Sequence, residues 1–489
     1  MDQKVSGEKA LSNFIWRLME RVGAKGVTVI VSIVLARLLD PAVYGTVALV
    51  TVFTQILEVF ISGGLGVALV QKQDADDLDF SSVFFFNVVM CLLMYGIMFF
   101  AAPAIANFYE KPDLVPLIRV LSLILVISGV KNIQESYVSR NLIFKRFFFA
   151  TLGGTIGAAV IGIWMAYRGY GVWALVAQTL FNALVDTVIL WITVGWRPKW
   201  MFSFERLGTL LKYGWKLLAS DLVDTVYRRL SSLFIGKMYT EDMLAFYNRG
   251  EQLPQLLIGN ITAAVDSVLM PTLAREQDDR EAMKHKMIRS ISISTFIMMP
   301  MMAGLAACGE PLVRIVLTDK WSPCVPYLMI FCLMYMFYPV NSANLNALKA
   351  NGRSDLFLIL EIVKKVIGIS ALVIAMKQGV FAIAIAVLIT DCFETVLNML
   401  PNRTLIGISI WEQCRTVAPN FILSAVMFAA VYAVSFLGLG DWATLGIQIP
   451  LGILLYVAGA KLFNRENFEY TLNIVKKLFS KKRGEAVNE

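Results

Sequence analysis

Arg17, Arg21 and Lys25 recur at every fourth residue, which sets all three on one face of a helix. Thr28 and Ser32 continue that face, and the stretch from Val27 to Ala36 is apolar enough to enter a bilayer. A cation at membrane depth costs about 2.5 to 3.5 kcal/mol, whereas each apolar residue returns about 0.3 to 0.6 kcal/mol. Three such charges are tolerable only beside a water-filled cavity or a polar partner. The chemistry implied is electrostatic capture of an anion. Further along, Thr51, Gln55, Glu58 and Ser62 share a helical face, as do Lys216, Ser220, Asp224 and Arg228. Arg249, Glu251, Gln252, Gln255 and Thr262 crowd a fourth apolar stretch. Arg17, Arg21, Lys25, Gln55, Arg228, Arg249 and Gln255 are therefore the candidate binding residues for an anionic, polar ligand.

Five carboxylates could exchange a proton or ion as the protein changes state: Glu58, Asp224, Asp266, Asp391 and Glu394. Asp224 has Arg228 one turn away, so it is expected to stay ionised. Glu58 has no cation within a turn of its own helix, and its neighbours Leu57, Val59 and Phe60 are apolar. It is the first choice for a coupling group. Asp391 and Glu394, three residues apart on one face, are the second.

Other chemistries are poorly supplied. His285 is the single histidine, which removes histidine-ligated metal sites and histidine-based triads. The six cysteines contain no CxxC pair and fall mostly in apolar stretches, so they read as small hydrophobes. No metal and no cofactor is expected, and no catalytic residue is assigned.

The elements that must position these side chains are membrane helices. Of 489 residues 57% are hydrophobic and 16% charged, and the mean hydropathy is +0.66. That composition belongs to a polytopic membrane protein. Cutting at charged, proline and glycine-rich breaks leaves about fourteen stretches of bilayer-spanning length. The charged start runs into a full-length helix without a small-residue cleavage site, so no cleavable signal peptide is expected. Every second loop is rich in Lys and Arg, as at Arg140, Lys145 and Arg146, or Arg197, Lys199, Arg206 and Lys212. The opposite loops hold only Arg37, Lys111, Arg168, Lys237, Arg314, Lys320 and Lys377 of the 44 basic residues. The positive-inside rule then places both termini in the cytoplasm. This topology accounts for the net charge of +8, so nucleic-acid binding needs no invoking.

The chain also repeats itself at an offset of about two hundred residues, with six spans between equivalents. Arg37-Leu-Leu-Asp-Pro-Ala-Val-Tyr-Gly45 corresponds to the segment from Lys237 to Ala245, the segment Pro103 to Pro116 to Pro311 to Pro326, and the segment from Asn141 to that from Asn351. An even number of spans preserves orientation, so the halves are parallel and are expected to frame a central site. The expected organisation is an N-terminal six-helix lobe over residues 1–200 and a second over 201–402. Two additional helices over 403–465 and a basic amphipathic tail over 466–489 complete it.

Three segments carry a family resemblance: Ile33-Val-Leu-Ala-Arg-Leu-Leu-Asp-Pro41 followed by Tyr44-Gly45, Gly63-Gly-Leu-Gly66, and Phe246-Tyr-Asn-Arg249. With them the chain resembles Wzx-type oligosaccharide flippases. Within the multidrug/oligosaccharidyl-lipid/polysaccharide exporter superfamily, it is most similar to the colanic and teichuronic acid exporter branch. The resemblance implies an all-α polytopic fold of about fourteen transmembrane helices, in two pseudo-symmetric six-helix lobes plus two C-terminal helices. It implies export of undecaprenyl-diphosphate-linked oligosaccharide repeat units across the bacterial inner membrane by alternating access, for capsule, exopolysaccharide or O-antigen synthesis. It implies that Arg17, Arg21, Lys25, Arg228 and Arg249 hold the diphosphate, and it allows a polysaccharide polymerase or co-polymerase as partner. A cation-coupled drug exporter of the same superfamily would need a site dominated by carboxylates. A membrane polymerase or ligase would need catalytic residues in a large outer loop, and every outer loop here is short.

Overall fold

The computed structural model describes residues 25–62, 64–276, 279–473 and 476. Among the described residues all regular structure is helical. Ten helical segments are long and apolar enough to cross a membrane. The helices Phe204–Met238, Glu241–Arg275 and Ser354–Ala375 stand at three further expected positions. They carry the charges placed at membrane depth by the sequence. The short apolar helix at Lys25–Leu38 occupies the remaining position. The arrangement is consistent with the expected count of about fourteen. By packing, the chain divides into two compact units, Met1–Ala245 and Phe246–Glu489.

The first unit contains α1 (Lys25–Leu38), α2 (Pro41–Ser62), α3 (Leu65–Gln71), α4 (Asp77–Phe108), α5 (Leu114–Leu121), α6 (Leu123–Arg140), α7 (Phe144–Tyr167), α8 (Val172–Thr193) and α9 (Phe204–Met238). The helix α10 (Glu241–Arg275) starts there and contains the division. Val31 and Leu35 of α1, with Leu39 just past its end, bury against Ala174 and Leu175 of α8. The stripe Gly153, Gly154, Gly157, Gly162 lets α7 lie directly on α8. A Cβ at these positions would come within 3 Å of Ile189, Asn182, Phe181 and Gln178. Small residues are what bring membrane helices this close.

Two of the sequence motifs acquire a physical reason here. The chain turns between α2 and α3 at Gly64, whose φ is +86°, and there the backbone of Gly214 on α9 passes so near that a Cβ would sit 2.2 Å from its carbonyl oxygen. Gly45 meets the backbone of Glu241 in the same way, at 2.0 Å. Neither glycine tolerates a side chain without backbone movement. They seat α9 and the start of α10 against α2.

The start of α4 is fixed by a reciprocal cap. The Asp76 carboxylate accepts from the amides of Leu78 and Asp79, and the Asp79 carboxylate accepts from the Asp76 amide. Negative charge at a helix N-terminus is favourable, and the hydrogen bond from the Asp79 amide, with the nearby positive charge of Arg206, holds the Asp76 carboxyl below the usual carboxylate range. Asp79 is fully buried and is reached by Lys72 at 2.7 Å and Arg206 at 3.4 Å. Arg206, which sequence alone assigns to a solvated basic loop, is thus a structural residue. It stands in the first turn of α9 and neutralises a buried acid, because burying an unpaired carboxylate is costly.

The second unit contains α11 (Arg280–Ala307), α12 (Gly309–Leu317), a 3-10 turn (Asp319–Cys324), α13 (Val325–Tyr335), α14 (Tyr338–Ala350), α15 (Ser354–Ala375), α16 (Val380–Leu405), α17 (Ile410–Ala433) and α18 (Asp441–Phe463). The tenth span is interrupted at Met336 and Phe337, two residues before Pro339 in the first turn of α14. A proline there supplies no amide and disfavours helix at the residue preceding it. In the first unit the fourth span is interrupted at Ser122, between α5 and α6.

Amides tie α14, α16 and α17 together. Asn344 donates to Gln413 at 2.7 Å, Asn402 donates to Asn344 at 2.8 Å, and Asn398 donates to Asn341. Asn344, Asn398, Asn402 and Gln413 are fully buried. A second set joins α11, α17 and the chain beyond α18: Asn420 donates to Thr295, Asn464 to Asn420, and Asn467 to Ser292. Helical residues 465–473 are held on α11 by that bond, by an Arg289–Glu466 ion pair, and by the Arg289 guanidinium 4.2 Å from the Tyr470 ring centroid.

Candidate functional site

The candidates fall in both units. Arg17 and Arg21 lie outside the described residues. Lys25 is the first described residue of α1, but its side chain, like that of Asp266 in α10, is outside the described set.

In the first unit, α2 carries Gln55 and Glu58, both half-buried. Glu58 accepts a 2.9 Å hydrogen bond from the Ser128 hydroxyl of α6. One turn further along α6, Lys131 pairs with Glu135 at 2.8 Å and with Asp186 of α8 at 2.6 Å. The Lys131–Glu135 pair is legible from its i, i+4 spacing. Asp186, more than fifty residues away, is not. Together these side chains form a polar seam across α2, α6 and α8, with more acidic than basic groups.

On α9, Arg228 donates to Asp224 at 2.7 Å, yet its side chain remains 72% exposed within the structure. Lys216, Ser220 and Asp221 are exposed as well. Most of the stripe read from the sequence is thus exposed within the structure, on a helix whose intervening residues are largely apolar. A charged stripe in that position requires water or an anion beside it.

The second unit brings a different set together. Arg249 is buried to 7% exposure, with its guanidinium 4.9 Å from the Trp321 ring centroid and donating to Gln252 at 2.9 Å. The rest of its motif packs nearby: Phe246 meets Trp321 edge-on, and Tyr247 meets Phe331 and Tyr327. The Phe246–Arg249 segment therefore locks α10 onto the 3-10 turn and α13, and in this arrangement Arg249 serves packing as much as charge. Gln255 donates to both Glu251 and the Tyr335 hydroxyl at 2.9 Å. Tyr335 lies within electrostatic reach of Asp391, which in turn feels Glu394 and Lys364. Lys364 is buried and paired with Glu361, and Lys365 stands 3.5 Å from the same carboxylate. Gln255, Asp391 and Glu394 thus belong to one polar cluster. Tyr335 and Glu361 are its unforeseen members; Tyr335 reads as core in a run of apolar residues.

Acidic side chains dominate both interior clusters, whereas the uncovered cations sit on α9. On α9 the arrangement can offer positive charge to a ligand. Residues 34–326 match the family described as "Polysaccharide biosynthesis protein". The chain belongs to that family.

Relatives of this polysaccharide biosynthesis protein extend the match. It is 23% identical to the lipopolysaccharide biosynthesis protein WzxC of Escherichia coli, over 89% of each chain. It is 26% identical to the succinoglycan biosynthesis transport protein ExoT of Rhizobium meliloti, over 68% of this chain and 67% of that one. Among solved structures, the lipid II flippase MurJ in an inward closed conformation superposes with a TM-score of 0.75 at 16% identity, covering 93% of this chain and 99% of that one. An inward-facing multidrug resistance transporter of the MATE family superposes at 0.61 and 18% identity, covering 80% and 98%. The fold is therefore that of the MOP superfamily, as the resemblance implied.

Proposed function

We propose that this protein is a flippase that moves undecaprenyl-diphosphate-linked oligosaccharide repeat units from the cytoplasmic to the periplasmic leaflet by alternating access. The single observation that carries this reading is the joint match: a polysaccharide biosynthesis family over most of the first 326 residues and the fold of a lipid II flippase over 93% of the chain. Relatives named for lipopolysaccharide biosynthesis and succinoglycan transport support it. Its role is transport, not bond chemistry, with the bacterial inner membrane as its location and both termini cytoplasmic.

The substrate's diphosphate carries about two negative charges through about 30 Å of hydrocarbon. The uncovered Arg228 on α9 supports a phosphate-binding role, since a guanidinium matches phosphate oxygens in pairs. Arg17, Arg21 and Lys25 on the first helix and Arg249 complete the proposed cationic set, with Gln55 and Gln255 offering amides to sugar hydroxyls. The lobes are proposed as 1–200 and 201–402, followed by helices over 403–465 and the tail from 466 to 489. For coupling, Glu58 remains the first candidate and the Asp391–Glu394 pair the second, with Asp224 and Asp266 behind them. The Ser128 bond to Glu58 can serve either protonation state, which suits a group that exchanges a proton.

Polymer export from cells expressing Lys25→Ala or Arg228→Ala at matched levels tests the cationic site. Both are expected to reduce export at least tenfold, whereas Arg465→Ala, at an exposed pair with Glu469, leaves it unchanged. Wild-type export from both variants overturns the assignment.

A further inference from the structure

The connection between α8 and α9 has two faces of opposite character. On its inner side Val194 and Trp196 are buried, and Trp196 stacks on Tyr137 and tilts against Phe80. Polar bonds pin the same stretch to the start of α4. The Trp196 indole and the Lys199 ammonium both donate to Asp77, at 2.9 and 2.6 Å. The backbone amides of Lys199 and Ser203 donate to the Ser81 and Ser82 hydroxyls, each at 3.0 Å. Arg197 spans the carbonyls of Trp191, Val194 and Trp196. The outer side presents Trp200, Phe202 and Phe204 at alternate positions, with 96% and 82% exposure at the first and last.

Among the described residues, Trp200 and Phe204 are left almost wholly exposed and Phe202 partly so. Their surface is continuous with a membrane span, because Trp200 stacks on Phe85 of α4 with ring centroids 5.4 Å apart. The backbone is irregular from 194 to 203, which carries Trp200 and Phe202, and Phe204 is the first residue of α9. Irregular lipid-facing backbone is excluded from the hydrocarbon core, where its polar groups would go unsatisfied. Exposed aromatic side chains that directly follow the cations Arg197 and Lys199 match the composition of the membrane–water boundary. Both adjoining helices enter the bilayer from this point, so a face in open water would leave three large rings hydrated for no gain.

We infer that residues 196–204 form an interfacial anchor whose Trp200, Phe202 and Phe204 insert into the headgroup–glycerol layer of the phospholipid membrane. The occupant of this surface is the lipid boundary itself. Because the segment is pinned to α4 by four separate hydrogen bonds, the anchor fixes the depth of the first unit in the membrane. It also holds the chain in place where it leaves α8 for α9.

Depth measurement by spin label tests this on the full-length protein in phospholipid vesicles. Trp200→Cys and Phe204→Cys are labelled with a nitroxide in a background carrying Cys392→Ser and Cys414→Ser, the replacements of the two exposed cysteines. Ile192→Cys on α8 gives the hydrocarbon reference, and Arg465→Cys the aqueous one. Both test labels are expected to show an oxygen-to-nickel-chelate accessibility ratio several-fold above the aqueous reference and below the hydrocarbon one. A ratio equal to the aqueous reference overturns the proposal. So does shielding from both reagents, which would mean that a second copy or another protein covers the face. Because both replaced side chains are exposed, the labelled variants retain the fold, and agreement between the two positions guards against a local artefact.

Discussion

Lys237, in the last turn of α9, donates a 2.7 Å hydrogen bond to Glu110 in the turn between α4 and α5, and the next residue of that turn, Lys111, pairs with Glu241 at the start of α10. The two pairs run in opposite senses, acid to base and base to acid. They hold the α9–α10 turn against the α4–α5 turn without adding net charge. The Glu110→Lys or Lys237→Glu single variants are expected to lower the thermal midpoint, and the double variant to recover most of the loss. Thermal unfolding monitored by fluorescence checks this.

The same contact has a predictable pH response. The hydrogen bond from Lys237 holds the Glu110 carboxyl below its usual range. A carboxylate depressed in the folded state contributes stability that is fully present above its unfolded value near 4.5 and disappears as pH falls through the lowered folded value. The difference in thermal midpoint between wild type and Glu110→Gln is therefore expected to be constant from neutral pH down to about 5 and to shrink below that. A difference that grows on acidification contradicts the assignment.

Lys131 balances two carboxylates inside the first unit, so its removal should cost more than removal of the whole set. Lys131→Met is expected to destabilise by about 3 kcal/mol, the lower end for breaking a buried pair, because its side chain keeps 24% exposure. The triple replacement with Glu135→Gln and Asp186→Leu should recover more than half of that. Denaturant unfolding in mild detergent measures both, and an equal loss in the two variants refutes the pairing.

Gly64→Ala places a methyl group against the Gly214 backbone at a residue held at positive φ. Strained backbone of that kind costs about 1 to 3 kcal/mol before the clash is counted. A fall in folded yield is expected, and Gly169→Ala, also at positive φ but in open space, should cost less. Yield by size-exclusion chromatography of the fluorescently tagged protein compares them.

The helices and their order were legible because membrane spans announce themselves by length and hydropathy alone. Glu135 with Lys131, and Asp224 with Arg228, were legible because a helix brings residues four apart into contact. Partners from distant helices were not. Nothing in the sequence points Lys131 to Asp186, Tyr335 to Gln255, or Arg206 to the buried Asp79. The motif Phe246–Arg249 shows the same limit from the other side. Its arginine invites a reading in terms of ligand charge, and only the position of Trp321 shows the packing role that accompanies it.

The side chains joining α14, α16 and α17 are asparagines and a glutamine, not acids and bases. Amides do not titrate between the pH of one compartment and another, and they carry no net charge for a transmembrane voltage to act upon. Whatever energy source drives a conformational cycle, it has no direct purchase on these amides themselves; on α16 the groups open to it are the carboxylates of Asp391 and Glu394.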